Sequence, residues 1–315
     1  MKSLKHLNKY FLKYKWHFLL GIVFTITSNY FGVRMPLFVK TTLDSLMSEI
    51  KIESINDALL ISLKIGGFYM LLSLAKGFFL FLMRQTIIVM SRRIEFDLKN
   101  EIYKQYQNLD LSFYKKNNTG DLMNRISEDV SHVRMYLGPG VMYSINLVVL
   151  FILVVYQMIM ISPSLTALVL IPLPLMSFLI YKVSAKMNFL SKKVQEEQSL
   201  LSTIAQESFS GMRVIKAYSQ QDSVSDKFEQ AANTYKNKSM SLVVVNALFI
   251  PTILFLIGLS TLLSIYIGGK MSFTNEISLG GIVAFIFFGN NLTWPCASIG
   301  WVTSLIQRAA ASQQR

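Results

Sequence analysis

Six apolar stretches, each long enough to cross a lipid bilayer, constrain this chain more than any other feature. A spanning helix needs about 20 largely apolar residues. Only 16% of the 315 residues are charged and 52% are hydrophobic, whereas a soluble domain usually has about a quarter of its residues charged. We therefore expect an all-α membrane protein, with spans at roughly 16–41, 58–83, 139–161, 165–181, 242–267 and 279–304.

Side chains suited to metal binding or to nucleophilic catalysis are scarce. Cys296 is the one cysteine, so an intramolecular disulfide and a cysteine-based metal cluster are excluded. His6, His17 and His132 are widely separated and form no pair with ligand spacing. The 315 residues contain no G-x-x-x-x-G-K-[ST] motif, so no phosphate-binding P-loop. We expect no metal, no catalytic residue and no ATP hydrolysis by this chain alone.

The connections between the spans alternate in length and in charge. Segments 44–57 and 268–278 are short, and Ser162-Pro163-Ser164 is a bare turn, whereas segments 84–138 and 182–241 are long and basic. These long segments contain Arg84, Arg92, Arg93, Lys99, Lys104, Lys115, Lys116, Lys182, Lys186, Lys192 and Lys193. Since Lys and Arg accumulate on the cytoplasmic side, we expect both termini to be cytoplasmic, in an inner (plasma) membrane. This bias also explains the net charge of +13 without a nucleic-acid partner.

Residues 1–15 have the pattern of an interfacial helix that precedes the first span. Its apolar residues recur at helical spacing, and its lysines lie mostly off that face: Leu4, Leu7, Phe11 and Tyr14 against Lys2, Lys5, Lys9 and Lys13. Such a helix places its lysines toward anionic lipid headgroups, and a disordered basic tail is the alternative. The run 16–38 lacks a clear small-residue cleavage site, which favours an uncleaved first span over a signal peptide.

The two long segments have the pattern of helices that continue beyond the membrane. In the first of them, Ile94, Leu98, Ile102 and Tyr106 recur four residues apart. Structureless loops of such length are uncommon in compact proteins, and about 25 helical residues would extend roughly 38 Å. We expect two cytoplasmic hairpins, 84–138 and 182–241, within a domain that comprises residues 16–315.

Each hairpin has a tip suited to docking a partner. The first tip is residues 113–120, where a short helix at 113–117 is followed by Gly120, and Asp121 is expected to cap the next helix. The second tip is residues 207–220, where Gly211 is expected to interrupt a helix. The apolar residues Val214, Ile215 and Tyr218 that follow it are expected to be exposed, which indicates a partner contact.

Four motifs, in order along nearly the whole chain, resemble those of ABC exporters. After the second span, the motif F-x(6)-G-D/E-L-x-x-R-x-x-x-D-V is matched by Phe113, Gly120, Asp121, Arg125, Asp129 and Val130. Before the fifth span, the family pattern is matched by Glu207, Gly211, Val214, Lys216 and Ala217, with Ile215 and Tyr218 in its aliphatic and aromatic places. The sixth span resembles the family at Gly280, Ala284, Phe285 and Pro295, and its end at Gln307-Arg308-Ala309-Ala310-Ala311-Ser312.

The resemblance implies the type I exporter (type IV) fold of lipid flippases and multidrug half-transporters. It implies a homodimer or heterodimer of transmembrane subunits, and coupling to nucleotide-binding domains through Phe113, Tyr114, Gly120 and Asp121 at the first tip. At the second tip it implies coupling through Glu207, Gly211, Val214, Lys216 and Tyr218. The complete transporter would be an ATPase that uses ATP and Mg. We expect its nucleotide-binding domain to follow Arg315 in the same polypeptide, with a separate ATPase subunit as the alternative.

Polar residues inside the spans are candidates for the substrate pathway. Asn29 lies near the middle of the first span, and Asn290 and Asn291 lie near the middle of the sixth; interhelical hydrogen bonds are the alternative explanation. Arg34 and Lys76 lie nearer the span ends and are expected to reach the headgroups.

Two other functional classes fit the sequence less well. An ion-gradient-driven carrier or channel would need carboxylates near the membrane midplane, and the spans contain essentially none. A membrane-embedded enzyme would need a cluster such as Ser/His/Asp at the bilayer edge, and the sequence offers none. We therefore favour the membrane domain of an exporter for lipids, drugs or other amphiphiles, with the carrier or channel as the alternative.

Overall fold

The computed structural model describes residues 6–48 and 55–315, and within these ranges the chain is helical and contains no strand. Six segments are long and apolar enough to cross a membrane, which confirms the predicted all-α fold with six spans. Twelve helices are described: α1 (Asn8–Lys13), α2 (Lys15–Ser48), α3 (Ile55–Gln107), α4 (Leu111–Lys116), α5 (Thr119–Asn124), α6 (Val130–Met135), α7 (Val141–Ile161), α8 (Pro163–Leu170), α9 (Pro172–Ser210), α10 (Met212–Ala217), α11 (Gln221–Phe273) and α12 (Leu279–Gln314).

Several spanning helices are much longer than a bilayer is thick. Helices α3 and α11 each contain 53 residues, which corresponds to about 80 Å at 1.5 Å per residue. The hydrocarbon core of a bilayer is only about 30 Å thick. Both helices are therefore longer than a span requires, as expected of helices that continue beyond the membrane.

The third spanning segment, Thr119–Ile161, contains two π-helical turns at Arg125–Asp129 and Tyr136–Gly140. Gly138 in the second turn lies against α3, because a Cβ there would be 2.5 Å from Ser91 Oγ. Pro139 lies in the same π-helical turn, and this wider turn accommodates a residue that has no backbone N–H without ending the helix. Single π turns are frequent at functional sites.

The fourth spanning segment is divided at Ile171. Ser162 caps α8, its Oγ accepting a hydrogen bond from Leu165 N at 3.4 Å, and Pro163 occupies the first turn. Helix α8 ends at Leu170 and α9 begins at Pro172, because a proline in this position provides no N–H for the preceding turn. The sequence predicted the turn at 162–164 correctly and treated 165–181 as one uninterrupted span.

The chain forms two compact units, Met1–Ile171 with Ser260–Arg315, and Pro172–Leu259. In the first unit α2 packs against α3, α7 and α12, and Phe285, Phe288 and Leu292 of α12 are fully buried. The second unit consists of α9, α10 and most of α11. The first tip belongs to the first unit and the second tip to the second.

Helix α1 differs from the prediction in what its lysines contact. Lys9 forms an ion pair with Glu101 at 2.8 Å and Lys13 with Asp97 at 2.6 Å, so both bind α3 carboxylates where lipid headgroups were expected. Leu7 and Tyr10 are buried in a cluster with Ile94 and other apolar side chains. Residues 1–5, which include Leu4, Lys2 and Lys5, lie outside the described part of the chain.

Candidate functional site

The first tip is built from α4, a two-residue connection and the start of α5. The N-cap of α5 is Asn118, whose Oδ1 accepts a hydrogen bond from Gly120 N at 2.9 Å. Asp121 stands in the first turn of α5, so the prediction that Asp121 is the cap is wrong. Asn118 takes this role because its backbone is extended and its short side chain reaches the free N–H groups of the helix start.

Tyr106 at the end of α3 holds the two short helices of the first tip. Its hydroxyl donates a hydrogen bond to the Leu122 carbonyl at 3.1 Å, and its own carbonyl accepts one from the Tyr114 hydroxyl. The rings of Phe113 and Tyr114 meet edge to face at 5.6 Å. Sequence reasoning placed Tyr106 on a helical face and missed this role, since no local pattern indicates a partner 16 residues away.

A cluster of charged residues joins the first tip to the end of α12. Asp121 forms an ion pair with the guanidinium of Arg125 at 2.9 Å and a second ion pair with that of Arg315. Arg315 Nη1 lies 3.4 Å from Oδ2 of Asp129, a buried carboxylate. His132 Nδ1 and Ser312 Oγ lie 3.1 Å apart. The structure thus brings residues of the first motif against the end of α12, with Asp121 and Arg315 194 positions apart in the sequence.

The second tip is the break between α9 and α11. Gly211 interrupts the helix as predicted, and its N–H donates to the Glu207 carbonyl at 2.8 Å. A Cβ at Gly211 would be 3.2 Å from that same carbonyl oxygen, which leaves little room for a side chain. Ser219 has a φ of 51°, a left-handed conformation that turns the chain into α11.

Large apolar side chains are exposed at the second tip. Val214 is 60% exposed and Tyr218 is 74% exposed, as the sequence predicted. Ile215 is only half-buried, where exposure was expected. Phe209, which the sequence analysis did not select, is 76% exposed. Lys216 is also exposed and lies in the last turn of α10.

The three asparagines chosen for the substrate pathway have different surroundings. Asn29 is buried, and its Nδ2 donates to Asn146 Oδ1 of α7 and to the Thr25 carbonyl, both at 2.9 Å. Its environment is therefore that of an interhelical hydrogen bond. Asn290 is exposed and Asn291 is half-buried on α12, so the structure does not group them with Asn29.

A further contact between the end of α2 and the start of α12 was not foreseen. Asp44 accepts hydrogen bonds from Lys40 Nζ at 3.0 Å, from Ser278 Oγ at 2.9 Å and from Gly280 N at 3.1 Å. Gly280 lies directly on the Lys40 carbonyl, so a Cβ would collide with it. Asp44 thus caps α12 from another helix, which no local sequence pattern reveals.

Comparison with known proteins identifies the family. The model of the ABC transporter transmembrane region matches residues 18–296. The "Multidrug resistance-like ATP-binding protein MdlA" of Buchnera aphidicola subsp. Baizongia pistaciae is 30% identical over 317 residues, which cover 100% of this chain and 54% of that protein. The "ATP-dependent lipid A-core flippase" of Syntrophus aciditrophicus is 26% identical over 249 residues, which cover 78% and 41%.

A third relative is also named as a multidrug resistance protein. The "Probable multidrug resistance ABC transporter ATP-binding/permease protein YheI" of Bacillus subtilis is 31% identical over 204 residues, covering 64% of this chain and 35% of that protein. The chain spans about half the length of the first of these curated relatives. The family resemblance of the motifs is confirmed, and the chain belongs to the ABC transporter transmembrane region family.

Proposed function

We propose that this chain forms the substrate pathway of an ATP-driven exporter for lipids, drugs or other amphiphiles. Its movements would be driven by ATP and Mg bound on a nucleotide-binding domain, which makes the complete transporter an ATPase. The names of the relatives, which include ATP-binding multidrug resistance proteins and a lipid flippase, support this proposal. They do not favour the ion-gradient-driven carrier or channel.

The exposed apolar surface of the second tip carries the proposal. Phe209 at the end of α9, Val214 in the short helix α10 and Tyr218 at its C-cap are all more than half exposed. Exposed apolar side chains clustered at one place mark a surface that another protein covers. Glu207, Gly211 and Lys216 would set the shape and the charge around this contact.

The first tip would provide the other contact with the nucleotide-binding domain. Leu111 and Tyr114 are exposed there, next to Phe113 and Gly120. Asp121 would transmit a displacement of this tip to α12 through its ion pair with Arg315. Helix α12 also contains Asn290 and Asn291, which we retain as pathway residues, whereas we assign Asn29 to helix packing.

The energetic requirement on this coupling is substantial. Changing the population of inward-facing and outward-facing states from 1:99 to 99:1 takes about 5.5 kcal/mol of differential binding. A hot-spot side chain at an interface contributes about 2 kcal/mol or more. A few apolar contacts at the two tips are therefore sufficient to transmit much of the energy that ATP binding provides.

The proposed orientation places both tips and both termini in the cytoplasm. The segments that contain the tips are rich in Lys and Arg, which are retained on the cytoplasmic side. An inner or plasma membrane would hold the chain beside a second transmembrane subunit, identical or related. Membrane lipid would cover the apolar spans.

The test uses the ATP-dependent movement of α12 and needs no knowledge of the substrate. In the complete transporter, Asn290→Cys is introduced together with Cys296→Ser, and its labelling rate is measured with and without ATP and Mg. We expect ATP to change this rate, and Val214→Ala with Tyr218→Ala to abolish most of the change. Loss of about 2 kcal/mol of coupling alters a population ratio roughly 30-fold.

Phe228→Ala is the matched control, because Phe228 is an exposed aromatic residue of α11 outside the tip. It should leave the ATP-dependent labelling unchanged. If ATP does not alter labelling in the parent protein, or if the two tip substitutions alter it no more than Phe228→Ala does, the proposed coupling is wrong.

A further inference from the structure

Arg34 lies inside an apolar part of α2 without an acidic partner. It stands 14 residues before the end of α2 at Ser48, which is about 21 Å along the helix axis. Within residues 6–48 and 55–315, no carboxylate forms an ion pair with it. Asp44, an acid nearly three turns further along α2, accepts hydrogen bonds from Lys40, Ser278 and Gly280. A charged residue in such a place indicates a functional site.

Arg34 was expected to reach the headgroups, and in the structure its side chain contacts Tyr30 of the preceding turn of α2. Its Nη2 donates a hydrogen bond to the Tyr30 hydroxyl at 2.7 Å. The guanidinium carbon lies 5.0 Å from the centre of the Tyr30 ring. The group is therefore held against the aromatic ring of Tyr30, and within residues 6–48 and 55–315 its charge contacts a neutral phenol and a π face.

Beside Arg34 is an aromatic cavity of about 340 Å³ between α2 and α3. Its walls include Phe31, Phe38 and Phe68, and the rings of Phe38 and Phe68 lie 4.7 Å apart. Among the described residues that line it, Arg34 is the one charged residue and none is an acid. The volume is within the range of about 300–1,000 Å³ that small-molecule sites occupy.

A larger cleft of about 830 Å³ adjoins the cavity and shares Arg34, Leu37 and Thr41 with it. Its acids, Asp44 and Glu276, already accept hydrogen bonds, Asp44 from Lys40 and Glu276 from Thr274 at 3.1 Å. Arg34 thus stands between an apolar cavity and a cleft that also contains charged side chains. A ligand that fits this arrangement has an anionic head and a hydrocarbon body.

We propose that the Arg34 cavity binds an anionic phospholipid. The phosphate would lie on the Arg34 guanidinium, which offers paired N–H donors that match phosphate oxygens. The Tyr30 hydroxyl could donate its own hydrogen to the same group, and a hydrocarbon chain would pack against Phe31, Phe38 and Phe68. The excess of one positive charge in the cavity selects an anionic lipid over a zwitterionic one.

Binding is tested on the purified complete transporter in detergent, without ATP, by native mass spectrometry with added phosphatidylglycerol or phosphatidylcholine. We expect phosphatidylglycerol to bind at one site roughly tenfold more tightly than phosphatidylcholine, because the choline ammonium repels Arg34 and offsets its attraction to the phosphate, whereas the neutral glycerol headgroup does not. Arg34→Gln should remove this preference, and Phe68→Ala should weaken both lipids.

Lys64→Gln and Phe81→Ala are the matched controls, because both residues are exposed on α3 and neither lines the cavity. They should leave both affinities unchanged. Equal affinity for the two lipids in the parent chain, or an unaltered preference in Arg34→Gln, overturns the proposal. If Arg34→Gln does not fold, the single variants Arg34→Lys and Phe68→Ala are measured instead. A phosphatidylglycerol affinity that is unchanged in both variants contradicts the proposed site.

Discussion

At the scale of single residues, Tyr106 connects the two short helices of the first tip to the end of α3. Its hydroxyl reaches the carbonyl of Leu122 in α5, and its carbonyl receives the hydroxyl of Tyr114 in α4. Helices of six residues are too short to be stable by themselves. The two short helices of the first tip therefore depend on such contacts with the end of α3.

We predict that Tyr106→Phe loosens the first tip without unfolding the chain. The substitution removes one hydrogen bond, which contributes about 1 kcal/mol. Hydrogen exchange of the amides in Thr119–Asn124 should become roughly fivefold faster, since local opening governs their exchange. Tyr103→Phe, at an exposed tyrosine one turn earlier, provides the comparison. Equal exchange in the two variants would refute the proposed role of Tyr106.

The residues of the first tip also show which details a sequence can provide. The short helix, the break and the following helix were predicted, because Gly, Asn and Asp favour turns and helix starts. The identity of the cap was not, since Asn118 and Asp121 are both suitable by residue type, and only the backbone conformation at Asn118 decides. Asp121 instead binds Arg125 and the distant Arg315.

Among the elements, α1 depends most clearly on tertiary contacts. It has only six residues, and it is attached to α3 by Lys9 and Lys13 as well as by the buried Tyr10. Burial and the hydrogen bond to Glu101 raise the pKa of the Tyr10 hydroxyl above its ordinary value. The phenol therefore stays protonated at neutral pH and remains a donor to Glu101.

We predict that Tyr10→Ala detaches α1. Truncation of a buried aromatic side chain costs about 3–5 kcal/mol, whereas partly exposed ion pairs such as Lys9–Glu101 contribute only about 0–1 kcal/mol. Hydrogen exchange of Asn8–Lys13 in detergent should approach that of an unfolded peptide.

Leu12→Ala is the control for this prediction, because Leu12 is 72% exposed on the same helix. It should leave the exchange of α1 unchanged. Retained protection in Tyr10→Ala would show that burial of Tyr10 does not attach the helix, which contradicts the account of α1.

The long helices could be predicted from sequence, and their contacts could not. Apolar runs and four-residue spacing indicate α3 and α11 directly, and Pro172 provides a local reason for the end of α8. The lysines of α1 have partners 84 and 92 positions away. An amphipathic segment with lysines is equally compatible with lipid headgroups and with protein carboxylates, so only the structure distinguishes them.

At the scale of the whole molecule, each of the two compact units contains one of the two tips. The sequence analysis treated residues 16–315 as one domain, since the apolar pattern is similar in all six spans. The structure separates Pro172–Leu259 from the remainder. Each unit therefore has its own proposed contact with a nucleotide-binding domain, and the first unit additionally joins α2 to α12 through Asp44.

The central claim is that the second tip binds a nucleotide-binding domain, and site-specific crosslinking tests it most directly. In cells that produce the complete transporter, Tyr218→benzoylphenylalanine is illuminated, and the crosslinked peptide is identified by mass spectrometry. We predict a crosslink to an ATP-binding domain, and none above background from Phe228→benzoylphenylalanine on α11. Crosslinks from position 218 to lipid alone, or equal yields from both positions, would contradict the account.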